Sequence, residues 1–267
     1  MKIKQVLSAL ERFAPLPLQE SYDNAGLQVG LTEAEISGAL LCLDVTEAVV
    51  DEAIRRGCNL IVAHHPLIFR KLAHVSDGNY VERAVIKAIK NDVVIMAMHT
   101  NMDNAQDGVN FRMAAKMGLS DVDFLPSQRR QMTLSGEEVA YGSGVVGTLA
   151  QPMEARAFIM MLKERFGVAS VRANELLQRP IQRVAICGGS GAFLLGDARQ
   201  AGADAFVTGE MGYHEFFGHE QQLQICVIGH YESEQFTTEI FRDIISRECP
   251  GVPTCIAETN TNPIVYI

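Results

Sequence analysis

Short apolar runs alternate with helical patterns along most of the chain. Each run is rich in Val, Ile and Ala and is bounded by Gly, Asp or Asn, which is typical of a buried strand between two turns. The alternation predicts βα units around a largely parallel sheet, and therefore an α/β fold. The predicted strands are residues 39–44, 59–63, 93–98, 183–187, 205–208 and 224–229.

The first residues of the chain predict an amphipathic helix rather than an export signal. Apolar residues recur at helical spacing, at Ile3, Val6, Leu7, Leu10 and Phe13. Glu11 stands where a signal cleavage site needs small neutral residues. No apolar stretch reaches the roughly 18 to 20 residues that a membrane-spanning helix requires, so the sequence predicts a cytoplasmic protein that does not enter a membrane.

The two halves of the chain share a weak internal pattern. In each half a strand preceded by Gly leads to a polar pair, first at residues 64–65 and again at residues 209–210. The next strand leads to a histidine that precedes a carboxylate by four positions: His99 with Asp103, and His230 with Glu234. Because both matches occur in the same order, we interpret the chain as a duplicated α/β unit.

The segment between the halves, residues 121–180, contains no histidine and carries the basic pair Arg129 and Arg130. We place the domain boundary near Pro126. The expected domains are two similar three-layer α/β domains, the first formed by residues 1–127 with 233–267 and the second by residues 128–232. Ligands bind at the carboxyl ends of parallel strands, so we expect the functional site in the cleft between these domains.

Composition restricts the classes of function. With 267 residues, of which 48% are hydrophobic and 21% charged, the chain can bury a sizeable core. A net charge of -9 and a pI near 5.3 disfavour binding to nucleic-acid backbones, which draws its energy from Lys and Arg. The six cysteines stand singly with no CxxC pair, a pattern that indicates buried reduced thiols.

Histidines collect at the ends of the predicted strands. His64 and His65 follow the apolar run 60–63, and Pro66 prevents the strand from continuing. Neighbouring side chains in an extended chain point to opposite sides, so the two rings could address two different ions. An isolated pair of this kind is also compatible with surface or capping histidines. Four of the seven histidines follow buried strands, however, and this favours a metal site.

The histidine and carboxylate spacing predicts the kind of metal. If a helix begins at His230, then His230 and Glu234 share one of its faces and converge on one point. Imidazole combined with carboxylate suits Zn, Mn, Fe, Ni or Co, and a shared carboxylate holds two such ions about 3.5 to 4 Å apart. The candidate ligands are His64, His65, Asp103, His230 and Glu234.

Other polar residues carry weaker expectations. Gly188, Gly189 and Ser190 follow a predicted strand and precede a helix, where backbone N–H groups can bind an anion, although the sequence favours a plain tight turn. Glu210 occupies the position in the second half that the histidine pair holds in the first, and we expect it to line the same cleft together with His214. The turn at residues 23–26 is either structural or functional.

Six blocks together resemble the signature of a known family, the GTP cyclohydrolase I type 2 homologs, also called Nif-three-like proteins. They are SYDNAGLQVG (21–30), HHP (64–66), HTNMD (99–103), GGSG (188–191), TGE (208–210) and GHYESE (229–234). The resemblance implies a two-domain α/β protein that forms a toroidal homohexamer, a trimer of dimers, with a di-metal site facing the central cavity. The family's ligands fall on the five candidates above. Tyr22 departs from the Trp of many members, and the chain resembles the short form of the family.

The resemblance also implies an activity, the hydrolytic opening of the guanine ring of GTP with loss of formate. A metal-activated water would attack C8, and His99, Glu232 or His214 would transfer protons. Gly188, Gly189, Ser190 and Glu210 would contact the nucleotide or other small anionic substrate, and Arg129 or Arg130 could hold its phosphates. The alternative is a non-catalytic, ring-shaped metal-binding protein that serves as an adaptor or regulatory platform.

Overall fold

The structure is a computed structural model that describes residues 1–132, 136 and 138–267. It divides into two compact units, the first formed by Met1–Met102 with Thr237–Pro263 and the second by Asp103–Phe236 with Ile264–Ile267. The first break therefore lies between Met102 and Asp103 rather than near Pro126. Within the described part of the chain, no helix combines the length and apolar character needed to cross a membrane.

The helices and strands are numbered in chain order. The α-helices are α1 Ile3–Phe13, α2 Glu47–Arg55, α3 Tyr80–Lys90, α4 Thr100–Asn104, α5 Val109–Met117, α6 Ala155–Phe166, α7 Leu195–Gln200, α8 His230–Glu234 and α9 Thr237–Glu248. The strands are β1 Gly26–Val29, β2 Ala39–Cys42, β3 Leu60–Ala63, β4 Val94–Ala97, β5 Ser120–Phe124, β6 Arg129–Met132, β7 Glu138–Tyr141, β8 Val145–Met153, β9 Arg172–Ala173, β10 Ile181–Ser190, β11 Ala205–Glu210, β12 Gln224–Val227 and β13 Thr254–Ile256. Short 3-10 helices occur at Leu16–Leu18, Ala192–Leu194 and Tyr213–Phe216.

The sheet of the first unit has the order β1-β4-β3-β2-β13. Strands β4, β3, β2 and β13 run parallel, and β1 is an antiparallel edge. Every residue of β2, β3 and β4 is buried, as expected for parallel strands covered on both faces. Helices α2 and α3 pack on one face, where Val49 and Ala84 join the core of Leu40 and Ile61. Helix α9 contacts β2 and packs on α1.

The sheet of the second unit has the order β5-β8-β10-β11-β12-β9. Strands β10, β11 and β12 are parallel, whereas β5, β8 and β9 pair antiparallel with their neighbours. Met113 of α5 and Phe158 of α6 pack on one face, and Leu194 and Phe206 belong to a core cluster on the other. Because α5 and β5 belong to this core and sheet, the first break precedes them.

The elements expected from the apolar pattern are largely confirmed. Each predicted strand is present, with its ends shifted by a few residues, and α1 buries Ile3, Val6 and Leu10 as the spacing indicated. The α/β fold is confirmed. Each sheet contains three consecutive parallel strands, β2-β3-β4 and β10-β11-β12, which agrees with duplication; the duplication itself stays a prediction.

The expected anion loop is not a loop. Gly188, Gly189 and Ser190 are the last residues of β10, and Ser190 still aligns with Glu210 of β11. The next element is a 3-10 turn followed by the six-residue helix α7. Their backbone therefore lies in the sheet rather than at the start of a long helix.

Candidate metal centre

Three histidines of the first unit meet at one edge of its sheet. His64 and His65 follow β3, and His99 follows β4, its parallel neighbour, so the carboxyl ends of these strands bring the rings together. The ring centroids of His64 and His65 are 4.8 Å apart, and each lies 5.4 Å from that of His99. One ligand nitrogen of each ring lies within 4.8 Å of the other two, which suits a metal site.

His64 is fully buried, and a main-chain oxygen fixes its ring. Its Nδ1 lies 2.9 Å from the carbonyl oxygen of Met98. Because a carbonyl oxygen can only accept, Nδ1 carries the proton and Nε2 carries the lone pair. This is the tautomer that a metal-ligating histidine adopts when it coordinates through Nε2.

His65 is oriented by a carboxylate. Its Nδ1 lies 2.8 Å from Oδ1 of Asp44, and Oδ2 of Asp44 accepts a 2.8 Å hydrogen bond from the hydroxyl of Thr261. Burial alone raises the pKa of Asp44, but the hydrogen bonds from His65 and Thr261 outweigh it and lower the pKa overall. The resulting anion holds the Nδ1–H of His65, an arrangement known from carboxylate–histidine–metal sites.

His99 is held in the same way by Asp23. Its Nδ1 lies 2.7 Å from Oδ1 of Asp23, while the other carboxylate oxygen accepts the N–H of Thr100 at 3.0 Å and also its hydroxyl. Burial raises the pKa of Asp23, yet the hydrogen bonds from His99 and Thr100 bring it down to about 2. The turn at residues 23–26 therefore has a definite task, the orientation of His99.

The second unit contains one histidine and two carboxylates among the candidate ligands, and a third carboxylate lies beside the histidine. His230 begins α8, and its Nε2 lies 3.1 Å from Oε2 of Glu234, one helical turn along, as the spacing predicted. Its Nδ1 lies 3.4 Å from Oε1 of Glu210, at the end of β11. Glu234 is buried, whereas Glu210 is exposed. Asp103 also belongs to this unit, where its carbonyl oxygen accepts a hydrogen bond from Asn110.

Glycines allow α8 to lie directly against the ends of β10 and β11. Gly189 has a φ of +59°, and a Cβ there would collide with Oε1 of Glu234. At Gly209 a Cβ would lie 2.6 Å from the hydroxyl oxygen of Ser233, which itself accepts the N–H of Gly189 at 3.0 Å. The glycines of these two blocks therefore serve the close packing of the helix that carries His230 and Glu234.

The remaining sequence candidates have contacts of their own. Ser190 donates a 2.7 Å hydrogen bond to Glu210. The exposed ring of His214 contacts those of Tyr213 and Phe217 at the 3-10 helix Tyr213–Phe216. The pKa of Tyr266 is raised first by burial and then by the charge of Glu232. These contacts leave the predicted catalytic and substrate roles as predictions.

The basic pair of the second unit belongs to the hairpin of β6 and β7. Arg130 pairs with Glu138 at 3.0 Å, and the guanidinium of Arg129 lies 5.9 Å from the ring centroid of Tyr141. Both contacts join the two strands of the hairpin. These contacts give the two arginines a structural role, and phosphate binding by them stays a prediction.

Sequence reasoning missed Asp44 as a functional residue. It ends the predicted strand 39–44, and β2 is parallel to β3, so its side chain emerges at the same sheet edge as His65. The signal was therefore present: a carboxylate at the end of the neighbouring strand.

The candidate residues are of the types that bind first-row divalent ions. Imidazoles with fixed Nδ1–H groups and buried carboxylates are ligands that suit such ions.

Comparison with known proteins matches nearly the whole chain. The sequence model of the family described as Duf34/NIF3 (NGG1p interacting factor 3) matches residues 1–263. A Clostridium perfringens protein named GTP cyclohydrolase 1 type 2 homolog is 35% identical over 88% of this chain and 87% of its own length. A Lactococcus lactis protein of the same name is 32% identical, with 100% of both chains covered.

Longer relatives and solved structures complete the comparison. A Bacillus subtilis protein of the same name aligns over 369 positions with 26% identity, so it carries residues that this 267-residue chain lacks. The crystal structure of a Staphylococcus aureus hypothetical protein superimposes with a TM-score of 0.90 at 29% identity, covering 100% of this chain and 99% of that one. A Bacillus cereus protein related to NIF3 shares the fold, with a TM-score of 0.87 at 24% identity over 100% of this chain and 99% of that one.

Proposed function

Because the chain belongs to the Duf34/NIF3 family, we propose that it is a metal-dependent hydrolase that holds two divalent ions. The proposed ligands are His64, His65, Asp103, His230 and Glu234. The observation that supports this most directly is the common setting of His64 and His65. Both rings are fixed through Nδ1 by an oxygen acceptor, which leaves Nε2 as the donor atom for a metal.

The second unit supplies complementary donors. Nε2 of His230 and a carboxylate oxygen of Glu234 already lie 3.1 Å apart, so the two can serve one ion without a change in α8. A carboxylate such as that of Asp103 or Glu234 can also bridge two ions. We therefore propose that the ligands of both units serve a single di-metal site, which is also what the family resemblance implies.

Divalent ions of this class supply Lewis-acid chemistry and lower the pKa of water. The chain itself supplies the proton carrier. We assign this role to His99, because Asp23 fixes its Nδ1–H and so presents Nε2 as the atom that accepts a proton. The anionic Asp23 then stabilises the imidazolium that forms. Glu232 and His214 are the candidates for later proton transfers.

We propose a purine nucleotide as the substrate class, with hydrolytic opening of its imidazole ring. Glu210 is exposed at the end of β11 and accepts the hydroxyl of Ser190, so it is placed to accept N–H groups of a heterocycle. Gly188 and Gly189 contribute less directly to substrate binding, since their backbone lies against α8. We propose in addition that the protein forms a homohexamer, to be checked by light scattering coupled to size exclusion.

The test combines metal reconstitution with substrate screening. Protein stripped by a chelator is reloaded separately with Zn²⁺, Mn²⁺, Fe²⁺, Co²⁺ and Ni²⁺ and incubated with GTP, other purine nucleotides and their nucleosides. Formate release and loss of the purine absorbance are measured. We expect activity to follow metal content and to fall at least 100-fold in the double variant His64→Ala/His65→Ala.

The matched control is His74→Ala, which removes an exposed imidazole from the same unit. It should retain both metal and activity. Metal-loaded protein that hydrolyses none of these compounds, while still losing its metal in the double variant, would contradict the hydrolase and support the metal-binding platform.

A further inference from the structure

Two cysteines far apart in sequence meet in the first unit. Cys58 lies between α2 and β3 and Cys255 lies in β13, 197 residues later, yet their Sγ atoms are 3.7 Å apart. Gly38 makes room for this meeting, since a Cβ there would lie 3.2 Å from the sulfur of Cys58. The two thiols are in van der Waals contact.

The two sulfurs are at non-bonded distance and need a small movement to form a bond. A disulfide has an S–S length of about 2.05 Å, so the two sulfurs need to approach by about 1.7 Å from their present distance. Rotation about the two Cα–Cβ bonds is the movement that the proposal requires. The neighbouring backbone is held by the pairing of Cys255 with Leu40 of β2.

The two thiols differ in their exposure to solvent. Both cysteines line a surface pocket with Arg56, Pro253 and Thr254, but Cys255 is half-buried whereas Cys58 is only 7% exposed. Burial, and after it the neighbouring Cys255, raises the pKa of Cys58 to about 12. We therefore expect a small oxidant in this pocket to react first with the more exposed Cys255, and Cys58 to act as the resolving thiol.

We propose that Cys58 and Cys255 form a reversible redox site, oxidised by hydrogen peroxide to a disulfide that fastens β13 to the sheet. In the first step the sulfur of Cys255 takes one peroxide oxygen, giving a sulfenic acid and one water. In the second step the sulfur of Cys58 attacks that sulfenic sulfur, and the hydroxyl leaves as a second water with the Cys58 proton. Overall the two thiols lose two electrons and two protons, and a dithiol reductant returns them.

The bond would stabilise the sheet at its edge. Strand β13 is the last strand in the order β1-β4-β3-β2-β13, and its partner within the sheet is β2. A disulfide between Cys58 and Cys255 would close a loop of 197 residues, and long loops give the largest loss of entropy in the unfolded chain. We expect the oxidised protein to unfold at a temperature higher by about 5 °C or more.

The decisive measurement is peptide mapping of the full chain after treatment with hydrogen peroxide. Trypsin releases Cys58 in peptide 57–70, but the peptide that begins at residue 248 carries both Cys249 and Cys255. The experiment therefore uses Cys249→Ser as its background. We expect a cross-link between the two peptides, a mass lower by two hydrogens, and complete reversal by dithiothreitol.

Single substitutions separate the two steps. Cys58→Ser should leave a sulfenic acid at Cys255 that dimedone traps, and Cys255→Ser should give neither product, with no rise in unfolding temperature in either variant. Absence of the cross-linked peptide at peroxide levels that oxidise free cysteine would overturn the proposal. A cross-link that leaves the unfolding temperature unchanged would overturn the fastening of β13.

Discussion

At the residue scale, the most consequential feature of the first unit is the set of oxygen atoms that accept hydrogen bonds from its histidines. Met98, Asp44 and Asp23 each take the Nδ1–H of one imidazole, so three rings are fixed in tautomer and in orientation. A hydrogen-bond acceptor at Nδ1 makes a histidine a better metal ligand, and loss of the acceptor commonly lowers metal affinity 10- to 100-fold. Asp44 and Asp23 are therefore as testable as the ligands themselves.

We expect Asp44→Asn to weaken zinc binding by about 10-fold, because the amide removes the charge that supports His65. The measurement is competition for Zn²⁺ with a chromophoric chelator. The control is Asp51→Asn, the same substitution at an exposed carboxylate that pairs with Lys87 in the same unit. Equal affinities in the two variants would show that Asp44 does not support a ligand.

Gly189 permits a second residue-scale test. At Gly189→Ala the new Cβ meets the carboxylate of Glu234, so that side chain must turn away and we expect metal affinity to fall by at least 10-fold. Gly167→Ala is matched in backbone, with a φ of +66° against +59°, but its Cβ would meet no atom within 4 Å. Both variants carry the same strain of a left-handed alanine.

The comparison of the two variants isolates the contact with Glu234. Chemical denaturation should reveal the loss due to the left-handed alanine in both variants, with a further loss from the collision in Gly189→Ala, and the zinc competition should separate them. A Gly189→Ala protein that binds zinc as tightly as Gly167→Ala would mean that the position of Glu234 does not matter for the metal.

At the scale of elements, helix α2 secures the segment that follows β13. Glu52 of α2 is fully buried and accepts the N–H groups of Glu258 and Thr259, each at 2.9 Å, and the hydroxyl of Thr259. The next residues include Thr261, the partner of Asp44. The segment therefore contacts both the buried carboxylate of Glu52 and Asp44, the residue that orients His65.

We predict that Glu52→Gln loosens this segment. A glutamine presents one oxygen instead of two, so at least one N–H acceptor is lost, and hydrogen exchange of residues 257–261 should be at least 10-fold faster at pH 7. Glu258→Gln is the control, because its exposed side chain takes part in a surface ion pair with Arg56 and should change little. Unchanged exchange in Glu52→Gln would contradict the prediction.

The effect of Glu52 should depend on pH. Burial alone raises its pKa, but the hydrogen bonds from Glu258 and Thr259 lower the pKa overall. A lowered folded-state pKa contributes stability that is present above the ordinary carboxyl pKa and is lost as the pH falls through the folded value. The difference in exchange between wild type and Glu52→Gln should therefore shrink in acid.

The sequence predicted the elements well where burial decides them. Strands β2, β3 and β4 are apolar throughout, so their pattern is unambiguous. The end of β10 was not predicted, because Gly188 and Gly189 are typical of turns, whereas in the structure they end the strand and lie against α8. The antiparallel edges β5, β8 and β9 and the break before Asp103 depend on tertiary packing, which one sequence does not contain.

At the scale of the whole molecule, the candidate ligands come from both units. The sequence predicts their types and their order, because a histidine or carboxylate that follows a strand can be recognised from the pattern alone. The supporting Asp44 and Asp23 needed the strand order, which places distant strand ends at one edge. The kind and number of ions depend on coordination geometry and metal supply, which a sequence does not specify.

A metal site with ligands from both units makes a prediction that a site within one unit does not. If His64, His65 and His99 alone held the metal, His230→Ala would keep the full metal-dependent rise in unfolding temperature. If ligands of both units are needed, as we propose, His230→Ala should lose most of that rise while the three rings of the first unit stay intact. Calorimetry of the chelated protein with and without added zinc distinguishes the two cases.

The size of the effect can be estimated in advance. A ligand present at 100 times its dissociation constant stabilises the folded state by about 2.7 kcal/mol, which corresponds to roughly 5 to 10 °C for a chain of this length. Wild type and the control His74→Ala should both show this rise. In His230→Ala a rise below about 2 °C supports ligation from both units, and a full rise assigns the metal to the three histidines of the first unit.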